Sequence, residues 1–192
     1  MIAASEVVAV VLAAGLSRRF GQADKLMAPY RGRPLVTHAA CLALELPFRA
    51  TLAVARQGSD AATALRALGF EVRHNPSPAR GIGSSLAIAA RAATATDAAA
   101  CLILLGDMPN VTLAHVRLML EAFDPPTDVV ASSDGRHRSP PTLFGRRHFP
   151  ELGQLSGDRG AARLAGAGSV VLSDAVELAD VDTIDDLERD DC

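Results

Sequence analysis

"VVAVVLAAG", residues 7–15, carries no charge and no polar side chain, is rich in β-branched valine, and closes on a glycine. A strand with one wet face would alternate polar and apolar residues. This one does not, so both faces must meet other layers, as in a parallel sheet covered by helices. Similar runs recur as "ATLAVA" (50–55), "CLILLGD" (101–107), "DVVAS" (128–132) and "SVVLS" (169–173). Between them lie Ala- and Leu-rich stretches of helical character near 35–45, 59–68, 84–95, 112–123 and 158–165. That alternation is the pattern of βα units, with helices on both faces of a mostly parallel sheet. Ser59 or Asp60, Ser84 and Thr112 stand where helix N-caps are expected. "DPPTD" at 124–128 reads as a helix-to-strand turn.

The chain has 192 residues, enough for one domain with a sizeable core, and the expectation is one unit spanning 1–192. Hydrophobic residues at 49% against 21% charged describe an ordinary globular protein rather than a disordered one. A formal net charge of -3 argues against a nucleic-acid or anionic-membrane partner, both of which need a dominant positive field. The opening apolar run is interrupted by Ser5 and Glu6 and falls short of the ~20 residues that a membrane helix needs. Cys41, Cys101 and Cys192 are widely spaced with no CxxC pair, which suggests a reducing, cytoplasmic setting without a disulfide framework or thiolate zinc site. With no tryptophan and Tyr30 as the single tyrosine, any base would have to be read by hydrogen bonds rather than by stacking.

Open α/β sheets bind ligands beyond the carboxyl ends of their strands, so the loops after Leu12, Asn75, Leu105 and Ser132 carry the functional expectation. The first, "AAGLSRRFGQADK", holds Gly15, Ser17, Arg18, Arg19, Gly21 and Lys25. Glycines let backbone approach a ligand, and N–H groups with Arg and Lys surround an oxyanion such as a triphosphate. Neither a Walker A loop nor a GxGxxG fingerprint is present. Lys25 is the one lysine among 19 basic residues, the other 18 being arginine. A compact ammonium on a flexible stem sits among phosphate oxygens where a planar fork will not, so Lys25 is a candidate phosphate ligand. The alternative is a chance surface lysine.

Asp107 stands just beyond an apolar strand, between Gly106 and Pro109, where a carboxylate can hold Mg²⁺ or simply serve the turn. Asp182 is a second candidate metal ligand, or with Thr183 the N-cap of a last helix whose positive end Asp185 and Asp186 favour. In "HNPSPARGIGSSLAIA", Gly81, Gly83, Ser84 and Ser85 could read a base edge or a sugar, or form an ordinary capped helix start. The polar, proline-rich "SSDGRHRSPPTLF" (132–144) reads as an acceptor-side loop. No His partners Ser17 or Ser84 in a recognisable nucleophile motif, and the five histidines lack HxxxH spacing.

In this order "LAAGLSRRFGQADKL", "NPSPARGIGSSL", "LLGDMP", "LSGDRGAARL" and "DVDTIDDL" resemble the MobA-like nucleotidyltransferases, most closely the molybdenum cofactor cytidylyltransferase branch. The resemblance implies a Rossmann-like three-layer fold and transfer of a nucleotidyl group from an NTP to a phosphorylated small-molecule acceptor, with pyrophosphate released. It places phosphate contacts on Gly15, Ser17, Arg19 and Lys25, Mg²⁺ on Asp107 and Asp182, and base and ribose contacts on Ala13, Ala14 and the Gly81–Ser85 loop. Catalysis falls to Arg19, Lys25 and Asp107. "AAG" resembles the CTP-using branch, where the GTP-using branch has "AGG", and the Ala14 methyl would narrow a purine pocket. The implied acceptor is molybdopterin and the implied protein partner a molybdoenzyme or its maturation factor. Ser139-Pro140-Pro141 departs from the branch's Gly-His-Pro, with His137 nearby but out of register. Open alternatives are GTP, a sugar phosphate acceptor, or a nucleotide-binding module without catalysis.

Overall fold

The computed structural model describes residues 1–16, 20, 24–125, 128–157 and 159–188. In chain order it forms β1 (Val7–Ala13), β2 (Pro29–Tyr30), β3 (Arg33–Pro34), α1 (Val36–Leu44), β4 (Ala50–Ala55), α2 (Asp60–Ala67), β5 (Glu71–His74) and α3 (Ile82–Thr94). There follow β6 (Ala100–Leu105), α4 (Leu113–Ala122), β7 (Val129–Ser133), β8 (Arg138–Gly145), α5 (Phe149–Leu152), α6 (Arg159–Gly166), β9 (Ser169–Leu172) and α7 (Ile184–Glu188). Among the described residues, seven strands make one sheet in the order β5-β4-β1-β6-β8-β7-β9, and β2 and β3 pair separately. All neighbours in the large sheet are parallel except β8, which runs antiparallel to both β6 and β7.

β1 is buried along its whole length, and its residues split between two cores as the strand period demands. Val7, Ala9 and Val11 pack with α1, α2 and α4, including Val36, Leu65 and Val116. Val8, Val10 and Leu12 pack with α3 and α5 on the other face, including Leu86, Phe149 and Leu152. After β1 the chain works outward through β4 to β5, then α3 carries it back to β6 on the other side of β1. The direction of winding reverses between β1 and β6, and this is where a doubly wound sheet opens a crevice at its carboxyl edge.

Two strands of the large sheet escape the apolar-run reading. β5 is short and mostly exposed, so it has no apolar signature. The stretch 132–144 is not a loop: Ser132 and Ser133 complete β7, a turn spans 134–137, and β8 then inserts between β6 and β7. Thr142 faces Ala131 whereas Ser139 faces Ser132, so Pro140 and Pro141 fall in a bulge where no ladder N–H is required of them. At the helix starts, Ser59 and Thr112 cap as expected, accepting from Ala62 N and His115 N at 3.2 and 3.1 Å. Ser84 does not: α3 begins earlier, with Gly81 in the cap position, and the Ser84 hydroxyl donates back to Gly81 O at 2.8 Å.

Two histidines are buried as neutral rings. His115 on α4 lies 2.7 Å through Nε2 from Ser132 Oγ, which itself donates to Pro141 O at 2.8 Å, so the imidazole N–H donates to the serine. Burial holds the His115 pKa below its ordinary 6.5 although Glu177 pulls the other way, and burial does the same to His38 against its contact with Tyr30 O. Below 6.5 the unfolded chain therefore binds protons that the folded chain refuses, and stability falls as pH drops. The urea midpoint is expected to be lower at about pH 5.5 than at about pH 7.5. An unchanged midpoint across that window would exclude this linkage.

Candidate active site

The β1–β6 crevice is a cavity of about 310 Å³ whose walls include Ala14, Gly15, Gly81, Ile82, Ser85 and Asp107. Gly15 has no positive φ, and a Cβ there would meet none of the described residues within 4 Å. Among the described residues no contact requires this glycine, and Gly15 itself lines the crevice. Gly81 is different, because φ +80° with ψ 178° is a region open to glycine alone. Its conformation turns the 78–80 segment into α3 and puts Ile82 and Ser85 on the cavity wall.

Asn75, only 3% exposed, fixes this wall. Its amide donates to Ser84 Oγ and Ser85 Oγ, both at 2.9 Å, and its Oδ1 accepts from Ser77 N at 2.8 Å. Ser85 thereby faces the crevice while Ser84 faces a separate groove on the outer side of α3. Gly83 also points away, its N–H donating to Gly157 O at 2.9 Å. Of the four expected positions in this loop, Gly81 and Ser85 border the crevice directly, and Gly83 and Ser84 support it.

Lys25 begins a short 3₁₀ turn, Lys25–Met27, capped by Asp24, whose carboxylate accepts from Leu26 N at 3.2 Å and pairs with Arg56 at 3.0 Å. It is not a surface lysine, being 7% exposed. Its ammonium donates to Asp107 Oδ2 at 2.7 Å and to Asp182 Oδ1 at 3.2 Å. Burial works against the charged amine, but the two carboxylates outweigh it and raise the Lys25 pKa. Asp180 borders the same group, and burial, with Asp182 and Asp107 next, pushes its carboxyl upward.

Backbone geometry brings these carboxylates together. Gly106 N donates to Leu12 O at 2.9 Å, and a Cβ at Gly106 would crowd Leu12 O at 3.2 Å and Val36 at 3.1 Å, so glycine lets β6 hand Asp107 to the crevice without displacing either neighbour. Val181 N donates to Asp107 O at 2.9 Å, hanging the 180–183 segment on the same turn. Asp186 reaches back to accept from Asp182 N and Thr183 N at 3.1 and 2.8 Å. The start of α7 is thus capped by Asp186, and the Asp182 carboxylate is turned to Lys25. Ser17, Arg18, Arg19 and Gly21 lie outside the described residues, so the expectation on Ser17 and Arg19 has no geometry beside it.

The donor set suits a hard divalent cation. Mg²⁺ takes one or two protein carboxylates and completes its shell with phosphate and water. Asp107 and Asp182 are two such carboxylates within reach of a single cationic nitrogen. Among the described residues no group of three or more His, Cys, Asp or Glu could enclose a metal unaided, so the other ligands would come with the substrate. Beyond Ile82 a second cavity, about 240 Å³, adjoins the crevice and is lined mainly by apolar groups including Leu86, Ile103 and Phe144, with Arg138 and Ser139 of β8 on its wall. The segment expected to serve an acceptor therefore borders this space as a strand.

The Lys25 ammonium and the Asp107–Asp182 carboxylate pair thus stand beside the crevice at the carboxyl edge of a doubly wound sheet. The model of the MobA-like NTP transferase domain matches residues 9–171, and the chain belongs to that family. Purine catabolism protein PucB of Bacillus subtilis (strain 168) is 32% identical over 193 residues, which span 92% of this chain and 91% of PucB. A crystal structure of Rv0371c from Mycobacterium tuberculosis H37Rv superposes with a TM-score of 0.78 at 29% identity, covering 98% of both chains. Rv0371c has also been crystallised in complex with manganese, with a TM-score of 0.75 to this chain. Molybdopterin-guanine dinucleotide biosynthesis protein A from Archaeoglobus fulgidus, 18% identical with a TM-score of 0.71 and 95% coverage of each chain, shares the fold. Among the described residues no helix is long and apolar enough to cross a membrane.

Proposed function

We propose that this protein transfers CMP from CTP to a phosphorylated acceptor, with molybdopterin as the leading candidate, and releases pyrophosphate. The observation that carries the reading is the Lys25 ammonium held between Asp107 and Asp182 at the mouth of the crevice. An acceptor phosphate oxygen attacks the α-phosphorus in line, a new P–O bond forms, and the bond to the bridging oxygen of pyrophosphate breaks. A phosphate nucleophile is ionised at neutral pH, so alignment and charge neutralisation carry the rate rather than a strong base.

Asp107 and Asp182 would hold Mg²⁺, which when bound supplies positive charge to the reacting phosphates. Lys25 and Arg19 neutralise the departing pyrophosphate, and Gly15 and Ser17 give the triphosphate close access to backbone. Ala13, Ala14 and the wall from Gly81 to Ser85 hold base and ribose. The Ala14 methyl, buried at the crevice edge, favours the smaller pyrimidine ring. The acceptor body is assigned to the cavity beside β8, which shares Ile82 with the crevice. Delivery of the product to a molybdoenzyme or its maturation factor, in the cytoplasm, belongs to the same reading.

Pyrophosphate release measured with each ribonucleoside triphosphate, magnesium and an acceptor panel tests the proposal. CTP with molybdopterin is expected to give the highest kcat/KM. Faster turnover with GTP would overturn the base assignment, and turnover only with a sugar phosphate would overturn the acceptor. Nucleotide binding without turnover on any acceptor would make the chain a binding module.

A further inference from the structure

We infer that Lys25 is the resident counter-ion of the metal site, so that a divalent cation and the Lys25 ammonium occupy the space between Asp107 and Asp182 in turn and never together. The inference rests on the reading of Asp107 and Asp182 as the metal-holding pair. The single nitrogen sits 2.7 Å from one carboxylate and 3.2 Å from the other, so it already fills the position from which one cation can touch both. A magnesium ion bonds its oxygens at about 2.0–2.1 Å, and one seated on the same two oxygens would lie against an ammonium of like charge. Asp180 adds a third carboxyl to the neighbourhood, and Lys25 pairs with both Asp107 and Asp182.

The lysine backbone is held, because its turn is capped by Asp24, which is paired with Arg56. Only the flexible side chain can move, and it needs an anion to move toward. A triphosphate in the crevice is such an anion, with more charge than the carboxylates that the amine leaves behind. The metal therefore enters with the nucleotide, and loading of bare metal is suppressed. After transfer, return of the Lys25 ammonium to the two carboxylates would favour release of product. An arginine would plug the carboxylates equally well but would withdraw less readily to a compact phosphate cluster. This gives a physical reason for one lysine in a chain of 18 arginines.

Binding of Mn²⁺ alone to the full chain, read from the loss of the free-ion electron paramagnetic resonance signal, tests the inference without any turnover. Lys25→Gln is expected to bind Mn²⁺ about 10-fold more tightly than the wild type, within the usual range for coupled sites, while Lys25→Arg stays within about 3-fold of it. Equal or weaker Mn²⁺ binding by Lys25→Gln would overturn the counter-ion role. Should that variant not fold, the wild type still decides: isotope-labelled lysine gives a single side-chain resonance, which must move in step with magnesium occupancy. Saturation of the carboxylates with that resonance unmoved would overturn the proposal. Tight metal binding by Lys25→Gln together with no nucleotide turnover by the wild type would uphold the counter-ion role and defeat the transferase reading instead. Turnover by the wild type with no gain in metal affinity would do the reverse.

Discussion

Asp107→Asn is expected to lower kcat/KM by about 10²–10³-fold while leaving the fold intact. The substitution keeps the shape of the side chain and removes its charge, so the site loses half of its carboxylate pair. The backbone bonds that build the turn do not depend on that charge: Gly106 N still donates to Leu12 O and Val181 N to Asp107 O. Lys25 retains Asp182 at 3.2 Å, which limits the structural cost of the change. Steady-state pyrophosphate release beside a thermal melt separates the two effects. Activity at the wild-type level would take Asp107 out of the chemistry, and collapse of the melt would mean that the pair is structural.

Gly83→Ala is the second large effect and acts through packing. A Cβ at Gly83 would lie 2.4 Å from Gly157 O and 3.1 Å from the carbonyl carbon of Ser156, and both obstacles are backbone. The 2.9 Å bond from Gly83 N to Gly157 O must lengthen or break. Overpacking of this kind costs about 1–3 kcal/mol, and each kcal/mol lowers the melting temperature of a chain this size by about 2–4 °C. Because Gly81, Ile82 and Ser85 line the crevice on either side of Gly83, the KM for nucleotide is expected to rise along with the loss of stability. A melt and KM both equal to wild type would show that the 156–157 segment yields freely.

Much of this was legible in the residues. The β1 run declared a strand buried on both faces, and its two-way split between cores follows from the strand period alone. The singular lysine and the aspartate beyond the β6 run pointed to one locus, and their side chains meet there at 2.7 Å. What sequence could not give is contact across distance. Asn75 stands in the sequence only as the residue before a functional loop, yet its amide orients two serines on α3, and no local pattern encodes that. Asp180 is one acid in an acidic stretch until the Val181 bond to Asp107 O brings it beside Lys25 and Asp182. β8 was hidden because its prolines signal a loop, and a bulge that excuses them from the ladder is visible only when β7 lies alongside. The proposed CTP preference and acceptor rest on Ala14 and on the space beside β8, where shape rather than residue type decides.

The bond from Val181 to Asp107 has a consequence for the newborn chain. Synthesis runs from the amino end, so the residues that line the crevice, from Leu12 to Asp107, are made well before residue 182. Until then Asp107 is the one member of the carboxylate pair present, and the hook at Val181 that delivers the second has yet to be made. The two acids that share one amine are thus supplied at widely separated moments of synthesis.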